Sequence, residues 1–320
     1  MIKKFIKPVK IGKVALRSNV IYSPLAGCSD FSFRQMANLY RPGLFFCEMV
    51  KIDALVRHDA SSYRILDYSH DMHPIGAQLC GSNPKSAKVA AQIVEDLGFD
   101  ILDFNCGCPV DKVTKDGSGS GMLKNLDRLA SVLSAMINAV QIPVTIKVRA
   151  GWDDDAITAP QITKLAEELG AKAVFVHGRT REQRYRGLAN RDHIKACVDA
   201  KKDILVFGNG DIFCNESAQD MFTRTNCDGI LVSRGTLGNP ALVKEIEENS
   251  FDQPNPHKLL KQHFNFIKNY HNEELVIIEM RKTSTWYLKS SAKIKTLREK
   301  LNKAKSLKAV EEALEALEGD

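Results

Sequence analysis

The chain has 320 residues, of which 44% are hydrophobic and 26% charged, and its formal net charge is +6. This balance excludes a disordered chain, and the length accommodates either one large α/β barrel of about 200–250 residues with a small appendage or two ordinary domains. No run approaches the roughly 18 consecutive apolar residues that span a bilayer, and the first residues lack the apolar core of a signal peptide, so we expect a cytoplasmic protein that does not enter the membrane.

Short runs rich in Val, Ile and Leu alternate with longer segments whose apolar residues recur at helical spacing, which is the rhythm of repeated βα units. Eight runs predict strands, at residues 20–24, 44–49, 75–79, 101–105, 144–147, 173–177, 204–208 and 229–232. Helices are predicted between them at residues 84–97, 126–139, 160–169 and 217–222. Asn83-Pro84 is typical of a helix start, and Gly98 and Gly170 are typical of helix ends.

This alternation predicts a parallel sheet, and closure into a TIM (β/α)8 barrel requires the fewest further assumptions. The chemistry of such barrels lies at the carboxyl ends of the strands. Polar residues are predicted at six of these ends: Glu48, Gln78, Asn105, Lys147, His177 and Asn209. A doubly wound sheet is the alternative, but it would carry a Gly-rich fingerprint after its first strand, and Pro24-Leu25-Ala26-Gly27 is not one.

The C-terminal part of the chain has a different character. Pro254 and Pro256 mark a linker, after which residues 257–270, 275–288, 291–303 and 306–317 have helical patterns. We therefore expect a catalytic barrel in residues 1–252 and an all-α helical bundle in residues 257–320. Residues 257–308 hold 13 Lys and Arg against four Glu, whereas residues 1–256 carry a net charge of only +2. This asymmetry suggests a polyanionic partner, although a lysine-rich helix face is more often simply solvated.

The eight cysteines are scattered without a Cys-x-x-Cys pair, which indicates reduced thiols and predicts no metal site. Two of them stand in Asn105-Cys106-Gly107-Cys108-Pro109, where the fourth predicted strand ends. A thiol at that place would face the mouth of the barrel, so a catalytic role competes with the commoner role of a buried spacer. Position alone does not choose between the two thiols.

Cationic and glycine-rich residues follow the later predicted strands. Lys147 closes an otherwise apolar run and calls for an anionic partner, and His177-Gly178-Arg179-Thr180 adds donors at the same edge. Gly208-Asn209-Gly210-Asp211 and Ser233-Arg234-Gly235 fall where barrels build phosphate sites from backbone amides. Flavin mononucleotide (FMN) suits this set, with Lys147 and Gln78 beside its ring. Taken singly these are ordinary rim charges and tight turns, and only their coincidence indicates a site.

Aromatic and cationic residues are interleaved near the C-terminal end, where Arg281-Lys282 and Trp286-Tyr287 precede Lys295 and Arg298. Such cations would contact phosphates, and binding would then weaken steeply as the salt concentration rises. The two aromatic residues are more simply explained by packing inside a small bundle.

In their order and spacing, these motifs resemble the tRNA-dihydrouridine synthases, most closely the bacterial branch called DusB, over nearly the whole chain. The matching segments are residues 23–27 with Asp30 and Arg34, 78–81, 105–109 with Lys112 and Val113, 119–123, 147–152, 177–180, 209–211, and 280–282 with Trp286 and Tyr287. The resemblance implies an FMN-binding TIM barrel followed by a helical tRNA-binding domain. It also implies NADPH or NADH as reductant, and we expect a monomer without a protein partner.

The resemblance further implies the roles of individual residues, with Cys108 and not Cys106 as the proton donor. The residues on family FMN positions are Pro24, Leu25, Ala26, Gln78, Lys147, His177, Asn209, Gly210, Asp211, Ser233 and Arg234. Those expected near the uracil or the rest of the RNA are Asn105, Arg149, Arg179, Arg281 and Lys282. Three residues depart from the family pattern. Leu25 replaces a frequent methionine, Ser233 replaces a frequent glycine, and Cys106 is an additional thiol that we interpret as packing.

The implied reaction converts uridine to 5,6-dihydrouridine. Hydride passes from reduced FMN to C6 and Cys108 protonates C5, after the base has left its stack at a cost of a few kcal/mol. A small-molecule pyrimidine oxidoreductase of the same flavin-barrel type is one alternative, but it leaves the basic tail unexplained. An RNA-binding protein that has lost catalysis is another, and the intact Cys108, Lys147 and His177 argue against it.

Overall fold

The computed structural model describes residues 2–251, 254–288 and 294–316. The strands in these residues are β1 (Val9–Ile11), β2 (Val14–Leu16), β3 (Val20–Tyr22), β4 (Phe45–Lys51), β5 (Ile75–Cys80), β6 (Ile101–Cys106), β7 (Val144–Arg149), β8 (Ala173–His177), β9 (Leu205–Asn209) and β10 (Gly229–Val232). β1 and β2 pair as an antiparallel hairpin. The other eight form one parallel sheet in the order β3, β10, β9, β8, β7, β6, β5, β4.

β3 and β4, the first and last strands in this order, lie next to each other. The N–H of Tyr22 in β3 donates to the carbonyl oxygen of Leu44, just before β4, at 3.1 Å. The sheet therefore curls into the expected TIM barrel, and the doubly wound alternative is wrong. All eight predicted strands are confirmed, with ends that move by at most two residues. Glu48 differs from its prediction: it lies inside β4, which continues to Lys51 after a register shift against β5.

Aromatic side chains fill the interior of the barrel. The ring of Phe175 packs edge-on against Phe46 at 5.7 Å and against Phe207 at 5.3 Å between centroids. A Cβ at Gly76 would lie 2.3 Å from the ring of Phe46, so only glycine leaves room for that ring. Ile11 and Leu16 of the hairpin belong to the same buried cluster, so the hairpin, which the sequence analysis missed, packs into the barrel interior.

Helices surround the barrel. In residues 31–248 they are α1 (Phe31–Asn38), α2 (Ile52–Val56), α3 (Ala60–Ile65), α4 (Pro84–Asp96), α5 (Asp111–Thr114), α6 (Leu126–Ile137), α7 (Ala159–Leu169), α8 (Arg191–Ala200), α9 (Asn215–Thr225) and α10 (Leu242–Glu248). The four predicted helices correspond to α4, α6, α7 and α9. Asn83 caps α4 by accepting the N–H of Lys85 at 2.9 Å, and Gly98 and Gly170 have φ angles of +85° and +97°, as expected where a helix ends.

The C-terminal helices are α11 (Pro256–Tyr270), α12 (Glu273–Tyr287), α13 (Ile294–Lys303) and α14 (Leu307–Glu315). The helical prediction is thus confirmed where the chain is described; residues 252–253, 289–293 and 317–320 lie outside the described part. Met36 of α1 belongs to the apolar cluster of these helices, and Trp286 packs edge-on against Phe33 at 6.4 Å. The helices therefore pack directly on the barrel. Across the described ranges, the longest apolar helical stretch falls short of a membrane span.

Candidate active site

A cavity of about 330 Å³ opens at the carboxyl ends of the barrel strands. This volume lies within the range of small-molecule sites. The residues expected to bind FMN all line it: Pro24, Leu25, Ala26, Gln78, Lys147, His177, Asn209, Gly210, Asp211, Ser233 and Arg234. Asn105, Cys108 and Arg149 line it as well. Residues that are far apart in the chain thus converge on one space, as the barrel topology requires.

Lys147 enters the cavity from β7 and is half-buried. Its Nζ donates to Oδ1 of Asn209 at 3.2 Å. The other end of Asn209 is fixed, because Nδ2 donates to the carbonyl oxygen of Leu231 at 2.9 Å and to Oγ of Ser233 at 2.8 Å. Burial, and to a lesser degree the nearby Arg149, lowers the pKa of Lys147 to about 8. The side chain is therefore a cation at neutral pH whose charge is poorly compensated.

Beneath the cavity, a hydrogen-bonded chain of side chains connects β5, β6 and β7. Asp103 accepts Nε2 of Gln78 at 2.7 Å and Oγ1 of Thr145 at 2.7 Å. Oε1 of Gln78 accepts Nδ2 of Asn105 at 2.7 Å. Burial raises the pKa of Asp103 to about 6, against the opposing hydrogen bonds of Gln78 and Thr145. Sequence reasoning missed Asp103, although a carboxylate in the apolar run Ile101-Leu102-Asp103-Phe104 was a signal.

Cys108 lies on the loop that follows β6, and its side chain is half-buried at the cavity. Oδ1 of Asn105 accepts the N–H of Gly107 at 3.1 Å and that of Cys108 at 2.9 Å. On the other side, the N–H and Oγ of Ser120 donate to the carbonyl oxygen of Cys108 at 3.0 and 2.9 Å. The backbone of Cys108 is therefore held by hydrogen bonds from two sides.

Cys106 has the opposite environment. It is fully buried in the apolar cluster between the barrel and its helices, and burial raises the pKa of its thiol well above the usual value. A thiol of this kind is inert towards reaction in water. The interpretation of Cys106 as a packing residue is confirmed.

His177 lies among several cationic side chains at the cavity. Burial, and then the charges of Arg149 and Lys147, lower the pKa of His177 well below its usual value, so the ring is neutral. Arg179 is buried outside the cavity lining, with Nη1 3.4 Å from Nε2 of His177 and Nη2 donating to Asp211 at 2.7 Å. Arg234 also donates to Asp211, at 3.2 Å. Arg179 therefore positions the carboxylate of Asp211 rather than facing the cavity.

The loops after β9 and β10 approach each other closely. Gly210 has a φ of +119°, and a Cβ at Gly235 would lie 2.4 Å from the carbonyl oxygen of Ile212. Both positions therefore require glycine. A short 3-10 helix starts at Arg234, and its first N–H groups have no partner within the helix. This geometry is suited to an anionic group such as a phosphate.

Arg149 ties two loops together at the mouth. Its Nε donates to the carbonyl oxygen of Gly107, and its Nη1 to those of Thr180 and Arg184, each at 2.8 Å. Asp111, three residues beyond Cys108, is paired with Arg181 and, at 2.7 Å, with Arg184. The loop that carries Cys108 is thus attached to the loop between β8 and α8.

Exposed apolar side chains form part of the rim, a feature that the sequence analysis did not identify. Val110, Tyr185 and Phe213 line the cavity and are 53%, 56% and 53% exposed. The guanidinium of Arg234 lies 4.7 Å from the ring centroid of Tyr185 and 5.8 Å from that of Phe213. Exposed aromatic rings around a cation are typical of a surface that stacks on nucleic acid bases.

Arg281 and Lys282 lie on α12, outside the cavity lining. Arg281 donates from Nε to the carbonyl oxygen of Leu301 at 3.2 Å and from Nη2 to that of Ala304 at 3.4 Å, so it caps the end of α13. Nζ of Lys282 donates to the carbonyl oxygen of Gly27 at 2.9 Å and pairs with Glu279. α12 is thereby connected to the loop that holds Pro24 and Ala26. No cluster of metal-binding side chains occurs in residues 2–251, 254–288 and 294–316.

Fold and site together define a TIM-barrel oxidoreductase whose reactive groups lie at the carboxyl ends of the strands. The chain belongs to the dihydrouridine synthase (Dus) family, whose model matches residues 21–319. The resemblance inferred from the motifs is therefore confirmed.

Individual relatives agree with this assignment. The chain is 36% identical to a probable tRNA-dihydrouridine synthase of Rickettsia prowazekii, over 90% of this chain and 91% of that protein. It is 34% identical to the tRNA-dihydrouridine synthase B of Vibrio cholerae, over 97% and 98% of the two chains. Among solved structures, histamine dehydrogenase from Rhizobium sp. 4-9 superposes with a TM-score of 0.58 at 13% identity, over 83% of this chain and 51% of that one. The last likeness concerns the fold alone.

Proposed function

We propose that this chain is a tRNA-dihydrouridine synthase that reduces the C5=C6 bond of uridines in transfer RNA, with FMN as cofactor and NADPH or NADH as reductant. The observation that carries the proposal is that a half-buried thiol, Cys108, and a half-buried cation, Lys147, face one cavity at the barrel mouth. The relatives named for this activity cover nearly the whole chain. A monomer in the cytoplasm, where transfer RNA is found, is part of the proposal.

The residues of the cavity fit a flavin. Gln78 and Asn105 each retain one carboxamide N–H after their bonds to other side chains, and Lys147 offers a cation to the electron-rich part of the ring. Arg234 and the first N–H groups of its short helix are suited to the phosphate. Leu25 and Met49 supply apolar surface.

Two hydrogens must reach the uracil ring: FMN, when bound and reduced, would supply a hydride for C6, and the Sγ–H of Cys108 supplies the proton for C5. Asn105 holds the backbone of Cys108 through two amide bonds, so that the thiol stays at the cavity. Lys147 stabilises negative charge that develops beside it, an effect worth about 3 kcal/mol in a water-excluded site. His177, being neutral, acts as a hydrogen-bonding group and not as an acid.

We also propose that residues 257–320 form the tRNA-binding domain and that the RNA crosses from these helices to the rim. Support comes from the positive net charge of residues 257–308, which contain 13 Lys and Arg but only four Glu. Arg149, Arg281 and Lys282 are engaged by protein carbonyl groups, so their contribution to RNA binding would use the N–H groups that remain. Tyr185 and Phe213 would stack on bases beside the target uridine.

The test is to map dihydrouridine position by position in transfer RNA from cells with and without this protein, and then with the Cys108→Ala variant. We expect the variant to bind FMN as the wild type does and to form dihydrouridine at least about 100-fold more slowly, because a proton donor contributes about 10²–10⁴-fold. Cys214→Ala, which removes an exposed thiol that is not part of the cavity lining, is the control. Undiminished product from Cys108→Ala would refute the role of Cys108.

A further inference from the structure

Asp103 is a charged core residue that the reaction described above does not use. It lies in β6, is fully buried and is absent from the cavity lining. Within the described ranges its hydrogen-bond partners, Gln78 and Thr145, are both neutral. A buried carboxylate without an ion-pair partner is costly, whereas an apolar side chain would fill the same space without that cost. The charge of Lys147 lowers the pKa of Asp103 less than the hydrogen bonds of Gln78 and Thr145 do, so the main contacts of the carboxylate are with the groups that it holds.

We propose that Asp103 is a positioning residue whose carboxylate fixes the orientation of the Gln78 carboxamide in the flavin site and, through Gln78, that of Asn105 beside Cys108. The inference rests on the proposed function, because the flavin and the uridine are the ligands that these carboxamides would meet.

The orientation of a carboxamide is decided by its partners, because its oxygen and nitrogen ends have nearly the same shape. Burial raises the pKa of Asp103 to about 6, so the group is ionised at neutral pH and only accepts hydrogen bonds. The end of Gln78 that faces Asp103 must then be Nε2, at 2.7 Å. Oε1 of Gln78 is left to accept Nδ2 of Asn105, also at 2.7 Å.

The other end of this chain of bonds imposes the same direction. Oδ1 of Asn105 accepts the backbone N–H groups of Gly107 and Cys108 at 3.1 and 2.9 Å. The Asp103 carboxylate at one end only accepts hydrogen bonds, and the backbone N–H groups at the other end only donate them. The two carboxamides between these ends therefore have one orientation in which every group has a hydrogen-bond partner. In that direction Gln78 and Asn105 each keep one N–H for the cavity that both of them line.

Asp103→Leu tests this role, because it keeps a side chain of similar size but removes the acceptor. Nε2 of Gln78 then loses its partner, and the carboxamide is free to turn towards the cavity. We expect the dissociation constant of FMN to rise about ten-fold, the effect of removing one buried hydrogen bond. We also expect the visible absorption band of bound FMN to shift, because the donors beside its ring change.

Two variants serve as controls. Asp103→Asn can keep an oxygen towards Gln78 while its amide donates to Oγ1 of Thr145, so it should bind FMN within about two-fold of the wild type and with the same spectrum. Thr145→Val removes only the second hydrogen bond to Asp103 and should also leave the spectrum unchanged. A purely structural role would lower the melting temperature of Asp103→Leu without moving the flavin spectrum, and that result would overturn the proposal. An Asp103→Asn variant that behaves like Asp103→Leu would overturn it as well, because the effect would then come from the charge.

Should Asp103→Leu fail to fold, Asp103→Ala is compared in the wild-type and Gln78→Ala backgrounds. Without a carboxamide to release, the substitution should leave FMN affinity unchanged in the second background, and an equal effect in both would contradict the proposal. A wild-type chain that binds FMN but forms no dihydrouridine would sink the proposed function alone. A wild-type chain that binds no FMN would refute both the proposed function and the role of Asp103.

Discussion

Cys106 and Cys108 illustrate how backbone geometry gives two neighbouring thiols different environments. Side chains of a strand alternate between its faces, so Asp103 and Asn105 point into the barrel while Phe104 and Cys106 pack towards the helices. The strand ends at Cys106, and the turn that follows brings Cys108 back to the cavity. The alternation could be predicted from the sequence, but the path of the turn could not.

Lys147 provides a prediction about stability and pH. Its pKa is about 8 in the folded chain, against an ordinary value of 10.5, so between these values the unfolded chain binds more protons than the folded one. Stability of the flavin-free wild type, relative to Lys147→Met, should therefore rise with pH in this interval. The measurement is the melting temperature of both proteins at about pH 7 and about pH 9.5, with Lys147→Met the more stable at the lower value. A difference that does not depend on pH would contradict the assigned cause.

Phe213 provides a prediction about RNA binding. Stacking of one base on an aromatic ring contributes about 1–3 kcal/mol, so Phe213→Ala should raise KM for transfer RNA about ten-fold. The rate at which NADPH reduces the bound flavin should not change. Phe251, which is 70% exposed and is not part of the cavity lining, offers the matched control Phe251→Ala. A slower flavin reduction in Phe213→Ala would show that the ring serves the cofactor or the reductant instead.

At the scale of elements, the sequence predicted α4, α6, α7 and α9 but missed the other helices around the barrel, among them α8 with 10 residues. α4, α6 and α7 have between 11 and 13 residues, clear apolar faces, and Asn or Pro at their starts. α2, α3 and α5 have only four to six residues, too few to establish a helical period. Of these, α2 and α3 pack apolar residues such as Leu55 and Tyr63 against the buried cluster around the barrel, so tertiary contacts stabilise them.

The contact between α12 and α13 separates two roles of Arg281. Its guanidinium caps the last carbonyl groups of α13, so Arg281→Ala should destabilise the chain by about 1 kcal/mol and lower its melting temperature by about 2–3 °C. Lys295→Ala, at an exposed position of the same helix α13, should leave the melting temperature unchanged. Thermal unfolding of the two variants is the measurement. Equal melting temperatures would contradict a stabilising role of Arg281 at the end of α13.

At the scale of the whole molecule, the C-terminal helices and the barrel mouth are connected. α12 contacts the loop after β3 through Lys282 and Gly27, and the cluster around Met36 joins the helices to α1. An RNA held by the helices would therefore meet the mouth at a fixed distance. The sequence indicated a linker at Pro254 and Pro256, yet the structure shows a helix that begins at Pro256 and packs against the barrel.

The charge of the C-terminal helices provides the last prediction. Replacing Lys295 and Arg298, both exposed on α13, by Glu should weaken binding of transfer RNA and lower the slope of log K against log salt by about 0.7–0.9 for each phosphate that the helix no longer neutralises. Lys85 and Lys88 on α4 are also exposed, and the same replacement there is the charge-matched control. Anisotropy titrations of labelled transfer RNA at several salt concentrations are the measurement. Equal slopes in the two variants would exclude α13 from the RNA interface.

The sequence by itself determined the eight barrel strands, four of the helices between them, the barrel, the family and most of the residues that line the cavity. It did so because strand period, helix caps and the residues at strand ends are local features of the chain. Only the tertiary structure decided which polar groups pair below the cavity, that Arg149 and Arg281 are held by backbone carbonyl groups, and that Tyr185 and Phe213 share the rim with Arg234. These contacts join residues that are distant in sequence, and their geometry exists only once the barrel has closed.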